Sequence, residues 1–572
     1  MSSSRPFAPT LTDAVQALAG ETRHGFTFVR ADGTERWMAF GEIADLASRR
    51  AAALRARGVE RGDRVALVVP EGEEFVLSFV ASVLAGAVPV PMYPAVSFRN
   101  LDAYHDTVTH IASAAGAKLM VTSESSKEFV APAAPRVPSL TRGLVTTTEL
   151  GGDHGTLVEP ASPGDLAFLQ FTSGSTSRPK GVMVTHDNLR ANTEAFVKEG
   201  LDIDIEVDKG VSWLPMFHDM GLIGFVIGPL FGSVDVVFLP TASFVRRPGI
   251  WLETISKHRG SITYAPNFAF QLVAKRVKER DLAELDLSSL RATGSGAEPI
   301  NARTLRDFAD KLAPAKFDRR SFLASYGMAE ATLAISFVPR LAGLVTDAVD
   351  AKALEQGKAT APATGAAEGS AREIVSCGKS FSGHEVVVVD ESGKRLGERE
   401  VGQILVKGPS VCAGYYQEPE LTAAALKDGW LHTGDLGYVA DGHVYVCGRL
   451  KDLIIVRGRN FYPSDIEWAV GDLPGVRRGN VVAFSADYDG EEQLVVVVEG
   501  TRADAQSIRD GVAKVVNDDF ALTVKEVVVI PLGALPRTSS GKPQRRKTKQ
   551  MMLDGVWKNA LDQAQEGVAE GA

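Results

Sequence analysis

Short apolar runs alternating with amphipathic stretches constrain this chain more than any other feature. RVALVVP (64–70), VPVPMY (88–93), KLMVTS (118–123) and VDVVFLP (234–240) are brief and rich in β-branched residues, which predicts strands buried on both faces. Helical spacing links them, at residues 37–58 (with Gly58 as the stop), from Phe75, and at 102–115, 188–199 and 249–258. That alternation predicts an α/β fold whose sheets are covered by helices. From His384 the pattern changes to alternating strands (HEVVVVD, GQILVKG, HVYVCG), which predicts a β subdomain. After GRLKDLIIVRGRN comes a compact α+β tail. In it, Ser464 and Glu467 of S-D-I-E predict a capping box opening a helix, and NVVAFSA and QLVVVVEG predict strands joined across DYDG. Residues 344–374 are rich in Ala, Thr and Gly with little core periodicity, and read as an insertion on the surface.

The stretch 171–186, FTSGSTSRPKGVMVTH, is where the chain declares chemistry. Six hydroxyl or glycine residues run unbroken before a proline and a lysine, flanked by the apolar segments LAFLQF and VMV. Glycine lets backbone approach an anion, the hydroxyls of Thr172, Ser173, Ser175 and Thr176 can donate to phosphate oxygens, and Lys180 adds a point charge. A Walker loop needs glycine directly before its lysine; Pro179 stands there instead and has no N–H to give. A solvated linker would not sit between two buried strands.

Length and composition narrow the classes further. At 572 residues the chain exceeds one hydrophobic core and predicts at least two domains. A net charge of -9 argues against nucleic acid as a main partner. Cys377, Cys412 and Cys447 are too few and scattered for a disulfide framework, and the N-terminus lacks the pattern of a secretory signal, so a cytoplasmic setting is expected. Residues 75–93 have the length of a membrane span, but Ser78, Ser82, Gly86, Pro89 and Pro91 interrupt them; a core helix followed by a buried strand is the expectation, and no transmembrane segment.

A Ser/Thr/Gly loop closed by P-K-G resembles the phosphate-binding signature of adenylate-forming enzymes: acyl-CoA synthetases, nonribosomal adenylation domains and luciferases. Further stretches follow in that superfamily's order: SGAEP, ASYGMAEATL, WLHTGDLGY, GRLKD and LPRTSSGKPQRRK. The resemblance implies ATP and Mg²⁺ as cofactors. It implies ATP binding by Thr172, Ser173, Gly174, Ser175, Thr176, Lys180, Gly296, Ala297, Glu298, Ser325, Tyr326, Gly327, Met328, Asp435 and Arg449. Tyr326 would stack on adenine, Asp435 and Arg449 would hold the ribose, and Glu330 would bind Mg²⁺. Lys542 would be catalytic, and Lys451 the hinge about which a small mobile C-terminal domain (451–572) turns on a large N-terminal adenylation domain (1–450).

The finer resemblance is to fatty acyl-AMP ligases, carried by WLPMFHDMGLIG, APNFAF, SGAEPI, SYGMAEATL, IVSCGK and KDLIIVRGRNFYPSDIE. It implies activation of a medium- or long-chain fatty acid to acyl-AMP. Transfer to the phosphopantetheine thiol of an acyl carrier protein, discrete or on a polyketide or lipopeptide synthase, would follow. His218 would gate the acyl pocket, and residues 344–374 would be the family's insertion. Asp219, beside His218, is close to where amino-acid-activating relatives hold an amino group. Amino-acid adenylation, acyl-CoA synthesis and a non-catalytic relative therefore stay open as alternatives.

Overall fold

The computed structural model describes residues 7–95, 101–153, 159–172, 178–365, 370–456, 458–488, 490–538 and 541–557. Its largest layer is a nine-stranded sheet. Six parallel strands form the centre, in the spatial order Phe322–Gly327, Ala292–Ser295, Ile262–Ala265, Lys209–Ser212, Asp235–Phe238 and Gly25–Val29. Antiparallel strands Ala334–Phe337 and Glu35–Ala39 flank them, with Lys379–Ser380 at one edge. A second, parallel sheet carries Val88–Pro91, Arg64–Val68, Leu119–Thr122 and Leu144–Thr146. Burial on both faces is why these strands read as nearly continuous apolar runs.

The membrane-length run folds inward. Every side chain from Phe75 to Leu84 in the helix Gly72–Leu84 is buried, and Val88–Pro91 follows as a buried strand. Among the described residues no helix is long and apolar enough to cross a membrane. The β subdomain is antiparallel, with Glu385–Val389, Gly402–Lys407, Trp430–Ala440, Leu426–Lys427 and His443–Arg449. In the tail, the sheet Val481–Tyr488, Glu491–Glu499 and Val524–Ile530 packs against the helices Pro463–Gly471 and Ala505–Phe520. Two apolar clusters there are drawn wholly from residues 454–557.

Three local expectations need correction. The stretch from Trp37 does not begin as helix: Glu35–Ala39 pairs antiparallel with Gly25–Val29, and the helix starts at Phe40. Sheet pairing overrides the helical spacing there. Ser464 and Glu467 form no capping box. Tyr462 is the N-cap and makes no side-chain cap bond, Pro463 presets the first turn, and Glu467 instead accepts from the Ala483 N–H and the Arg545 guanidinium. Residues 344–374 are not merely a surface excursion. Thr346–Asp350 and Ala371–Val375 pair as a hairpin around the helix Ala351–Glu355, and bury Val349, Leu354, Ala359 and Ile374 against Tyr438, Tyr445 and Tyr462. The core partners are aromatic residues supplied from outside the segment, so its own composition did not reveal them.

Candidate active site

The stretch 171–186 contributes to a pair of strands. Leu166–Thr172 and Lys180–Thr185 are antiparallel, with Thr172 directly opposite Lys180; Ser173, Gly174, Ser175 and Thr176 lie outside the described residues. The Lys180 ammonium stands 5.3 Å from the centre of the Tyr415 ring. Tyr415 in turn donates from its hydroxyl to Glu330 Oε1 at 2.8 Å. The Tyr415 backbone is fixed by neighbours: the Met183 N–H donates to the Gly414 carbonyl, and the Tyr416 N–H to the Gly181 carbonyl, both beside the phosphate-loop strand. Tyr415 therefore ties the strand Lys180–Thr185 to Glu330, 85 positions away. Sequence reasoning missed it, because in GYYQEP it carries no motif of its own. Burial pushes the Glu330 carboxyl up, and the Tyr415 bond opposes that.

Glu330 lies on the turn Ala329–Ala331, at the end of a strand that also supplies Ser325, Tyr326 and Gly327. A Cβ at Gly327 would sit 2.0 Å from the Leu333 carbonyl oxygen, so only glycine permits this return of the chain. The Met328 N–H donates to the same carbonyl. Tyr326 donates from its hydroxyl to Asp435 Oδ2 at 2.7 Å, and Arg449 Nε lies 3.2 Å from Asp435 Oδ1. Asp435 and Arg449 face each other across the ladder of neighbouring strands, which is how residues distant along the chain become partners. Asp435 is only 6% exposed; its carboxyl is pushed up by burial and held down by Arg449, whose own pKa rises chiefly because of that carboxylate. The pair with its phenol offers fixed acceptors and donors, which fits the two neighbouring hydroxyls of a ribose.

The strand Ala292–Ser295 runs into Gly296 and Ala297, and Ala297 adopts φ +69, left-handed backbone that a residue with a Cβ rarely takes. Its carbonyl accepts a hydrogen bond from the Lys542 ammonium, delivered from 245 positions away. The next residue, Glu298, accepts from the Phe268 N–H at 2.9 Å. His218 and Asp219 complete the mouth, where the helix Asp219–Leu222 begins. Burial lowers the Lys542 pKa, with Glu298 and then Asp219 pulling the other way, and burial raises both carboxyls. Burial, and then the Lys542 charge, bring His218 down to about 4, so it is a neutral imidazole near pH 7.

Two cavities meet at this mouth. A cleft of about 2440 Å³ is lined by His218, Asp219, Ala297 and Lys542 together with tail residues such as Arg537. An apolar pocket of about 70 Å³ lies behind it, and Asp219, Met220 and Ala297 border both. Gly296, Ser325, Tyr326 and Gly327 also line the smaller pocket, so Tyr326, which bonds to Asp435, and Ala297, which accepts from Lys542, both border it. Lys451 is on the exposed turn Leu450–Asp452 that follows Arg449. Among the described residues no three His, Cys, Asp or Glu side chains converge to hold a metal. Glu330 offers a single carboxylate, which suits Mg²⁺ bound largely through nucleotide phosphates.

Residues 16–416 match the model of a family described as AMP-binding enzyme. A Caulobacter vibrioides protein with the provisional name acyl-CoA synthetase is 39% identical over 96% of both chains. The medium-chain-fatty-acid–[acyl-carrier-protein] ligase JamA of Moorena producens is 32% identical over 97% of this chain and 96% of its own. A solved structure from work on fatty acyl-adenylate ligases of E. coli and L. pneumophila superposes with a TM-score of 0.91 at 35% identity, covering 96% of this chain and 98% of that one.

Proposed function

The chain belongs to the AMP-binding enzyme family, and from that premise we propose that it is a fatty acyl-AMP ligase. It activates a medium- or long-chain fatty acid with ATP, releases pyrophosphate, and passes the acyl group to the phosphopantetheine thiol of an acyl carrier protein. The observation that carries this reading is the delivery of the Lys542 ammonium to the Ala297 carbonyl, where the apolar pocket opens beside the Tyr326–Asp435–Arg449 cluster. An apolar tail, a carboxylate and a nucleotide would meet at that point.

In the first step a carboxylate oxygen attacks the α-phosphorus of ATP, and the bond to the pyrophosphate oxygen breaks. Both reactants are anionic, so the chain's task is to align them and offset their charge. Lys542 supplies the positive charge at the mouth. Burial pushes Glu298 and Asp219 toward their neutral forms, which lessens their repulsion of the incoming acid. Tyr326, Asp435 and Arg449 would hold the ribose, and Lys180 with the loop hydroxyls the phosphates. Mg²⁺ would be held by Glu330 and, when bound, draws charge onto the departing pyrophosphate.

In the second step the thiol sulfur attacks the acyl carbonyl and AMP leaves. We place the division between a large and a small domain at residues 450/451, with Lys451 as the hinge; the separate apolar clusters of residues 454–557 support it. The hairpin of residues 344–374 reaches across that division. Glu355 accepts from Arg459 Nε at 2.7 Å and Nη2 at 3.0 Å, and its carbonyl accepts from Asn460. Such a clamp restrains rotation, which handicaps free CoA more than a carrier protein with its own docking surface and tethered arm. The Caulobacter relative's name favours acyl-CoA synthesis as the second reading. The test is pyrophosphate exchange with a panel of acids, followed by product mass with CoA or with a phosphopantetheinylated carrier. Exchange with amino acids but not fatty acids would remove the first step from the proposal, and efficient acyl-CoA formation would change the acceptor alone.

A further inference from the structure

The small pocket behind Ala297 is shaped by one side chain. Tyr264 stands on the strand Ile262–Ala265, and the strands on either side present glycine: Ile262 pairs with Gly210, and Tyr264 with Gly294. Paired residues on neighbouring strands share a face, so these glycines leave a trough in the sheet surface. The phenol ring fills the trough over Gly294, and Phe225 and Val236 fill the one over Gly210. A Cβ on Gly294 would lie 2.1 Å from Tyr264 Cε1, and the ring is boxed in by Phe225 at 6.4 Å and Phe337 at 5.9 Å between centroids. Tyr264 is only 8% exposed. The remaining space, about 70 Å³, is walled by Phe196, Phe225, Ile262, Leu333 and Phe337 as well as by the ring.

Resting on the fatty acyl-AMP ligase reading, we propose that Tyr264 sets the upper length of the acyl chain and confines the enzyme to the lower end of the medium-chain range. The carboxylate sits at Lys542, and the tail passes Asp219, Met220 and Ala297 into the pocket. An apolar cavity of ~150 Å³ holds a benzene molecule, so the 70 Å³ here takes about three carbons beyond the mouth. With the carboxyl carbon and those crossing the mouth, hexanoic to octanoic acid is the fit. Removing the phenol frees roughly one further benzene volume, enough for about six more carbons.

The test is pyrophosphate exchange with a ladder of straight-chain acids from butanoic to hexadecanoic. The wild type is expected to peak at or below octanoic acid, with kcat/KM falling about tenfold or more by tetradecanoic acid, since a wall that cannot yield penalises each surplus methylene. In Tyr264→Gly the ratio of dodecanoic to hexanoic kcat/KM should rise about tenfold or more. Tyr264→Leu, which keeps an apolar filling, is the second variant if the glycine form folds poorly, and should shift the peak by a smaller step. A wild type that prefers dodecanoic or longer acids overturns the proposal while leaving fatty acid activation intact, because the tail must then run along the cleft. An unchanged length profile in both variants overturns it as well. Absence of exchange with every acid in the ladder would overturn the ligase reading and this inference together.

Discussion

Replacing Tyr326 by phenylalanine deletes one oxygen and tests the proposed ribose site. The hydroxyl donates to Asp435 Oδ2 at 2.7 Å, and among the described contacts the other partner of that carboxylate's side chain is Arg449 at 3.2 Å. A hydrogen bond to a charged group contributes about 1.5–3 kcal/mol, and Asp435 is too buried for water to replace the donor freely. The bond exists without nucleotide, so the free protein should lose folding stability of that order. Nucleotide binding feels a second effect. With one of its two orienting partners gone, the carboxylate can turn toward the guanidinium, and restoring its direction on ATP binding costs about 1.4 kcal/mol, a tenfold rise in KM for ATP. Pyrophosphate exchange at varied ATP, with urea unfolding of the ligand-free protein, separates the two effects. Because the hydroxyl acts through Asp435, Tyr326→Phe combined with Asp435→Asn should bind ATP no worse than Asp435→Asn alone. A KM for ATP within about twofold of wild type in Tyr326→Phe would refute the argument, since a tenfold change is what the lost donor implies.

Three other outcomes follow from the same geometry. Lys542→Ala should slow adenylation by about 10²-fold or more while sparing thiolation of preformed acyl-adenylate, measured by single-turnover assays of each half-reaction; equal loss in both would reassign the residue. Lys451→Pro, which fixes φ on the turn Leu450–Asp452, should do the reverse, lowering carrier acylation and leaving pyrophosphate exchange near wild type. Stability should fall with acid through His186, 2% exposed, whose Nδ1 accepts the Leu11 N–H. Burial lowers its pKa from 6.5 to about 4, against the pull of Asp165 and Asp13. Between those pH values the unfolded chain binds the extra proton and the folded one does not, so about 3 kcal/mol is lost from pH 6.5 down to 4. His186→Asn should flatten that stretch of the curve in urea unfolding at stepped pH; an unchanged slope would exclude His186 as its source.

What the sequence disclosed and what it hid divide along the distance over which a signal acts. The strands at residues 64–68, 88–91, 119–122 and 235–238 were legible because burial on both faces leaves a local mark, a short apolar run. Asp435, Arg449, Tyr326 and Lys542 were legible only through resemblance to a family, since an aspartate after glycine or a lysine in a basic tail carries no chemistry alone. The structure shows how three of them are placed: a strand pairing brings Asp435 opposite Arg449, and the tail returns Lys542 to a strained turn at Ala297. Tyr415 and Tyr264 left no trace, because each acts through a partner chosen by tertiary packing. For Tyr415 that partner is Glu330; for Tyr264 it is the absence of a side chain at Gly294. The expected capping box that does not form has the same origin. Ser464 and Glu467 satisfy the pattern, yet Arg545 bonds to both Glu467 and Asp452 and takes the glutamate away from the helix end. Two charge-assisted bonds to the Glu467 carboxylate, from Arg545 and from the Ala483 N–H, outweigh one cap bond of about 1 kcal/mol, so a local rule gives way wherever the tail's packing brings a stronger partner within reach.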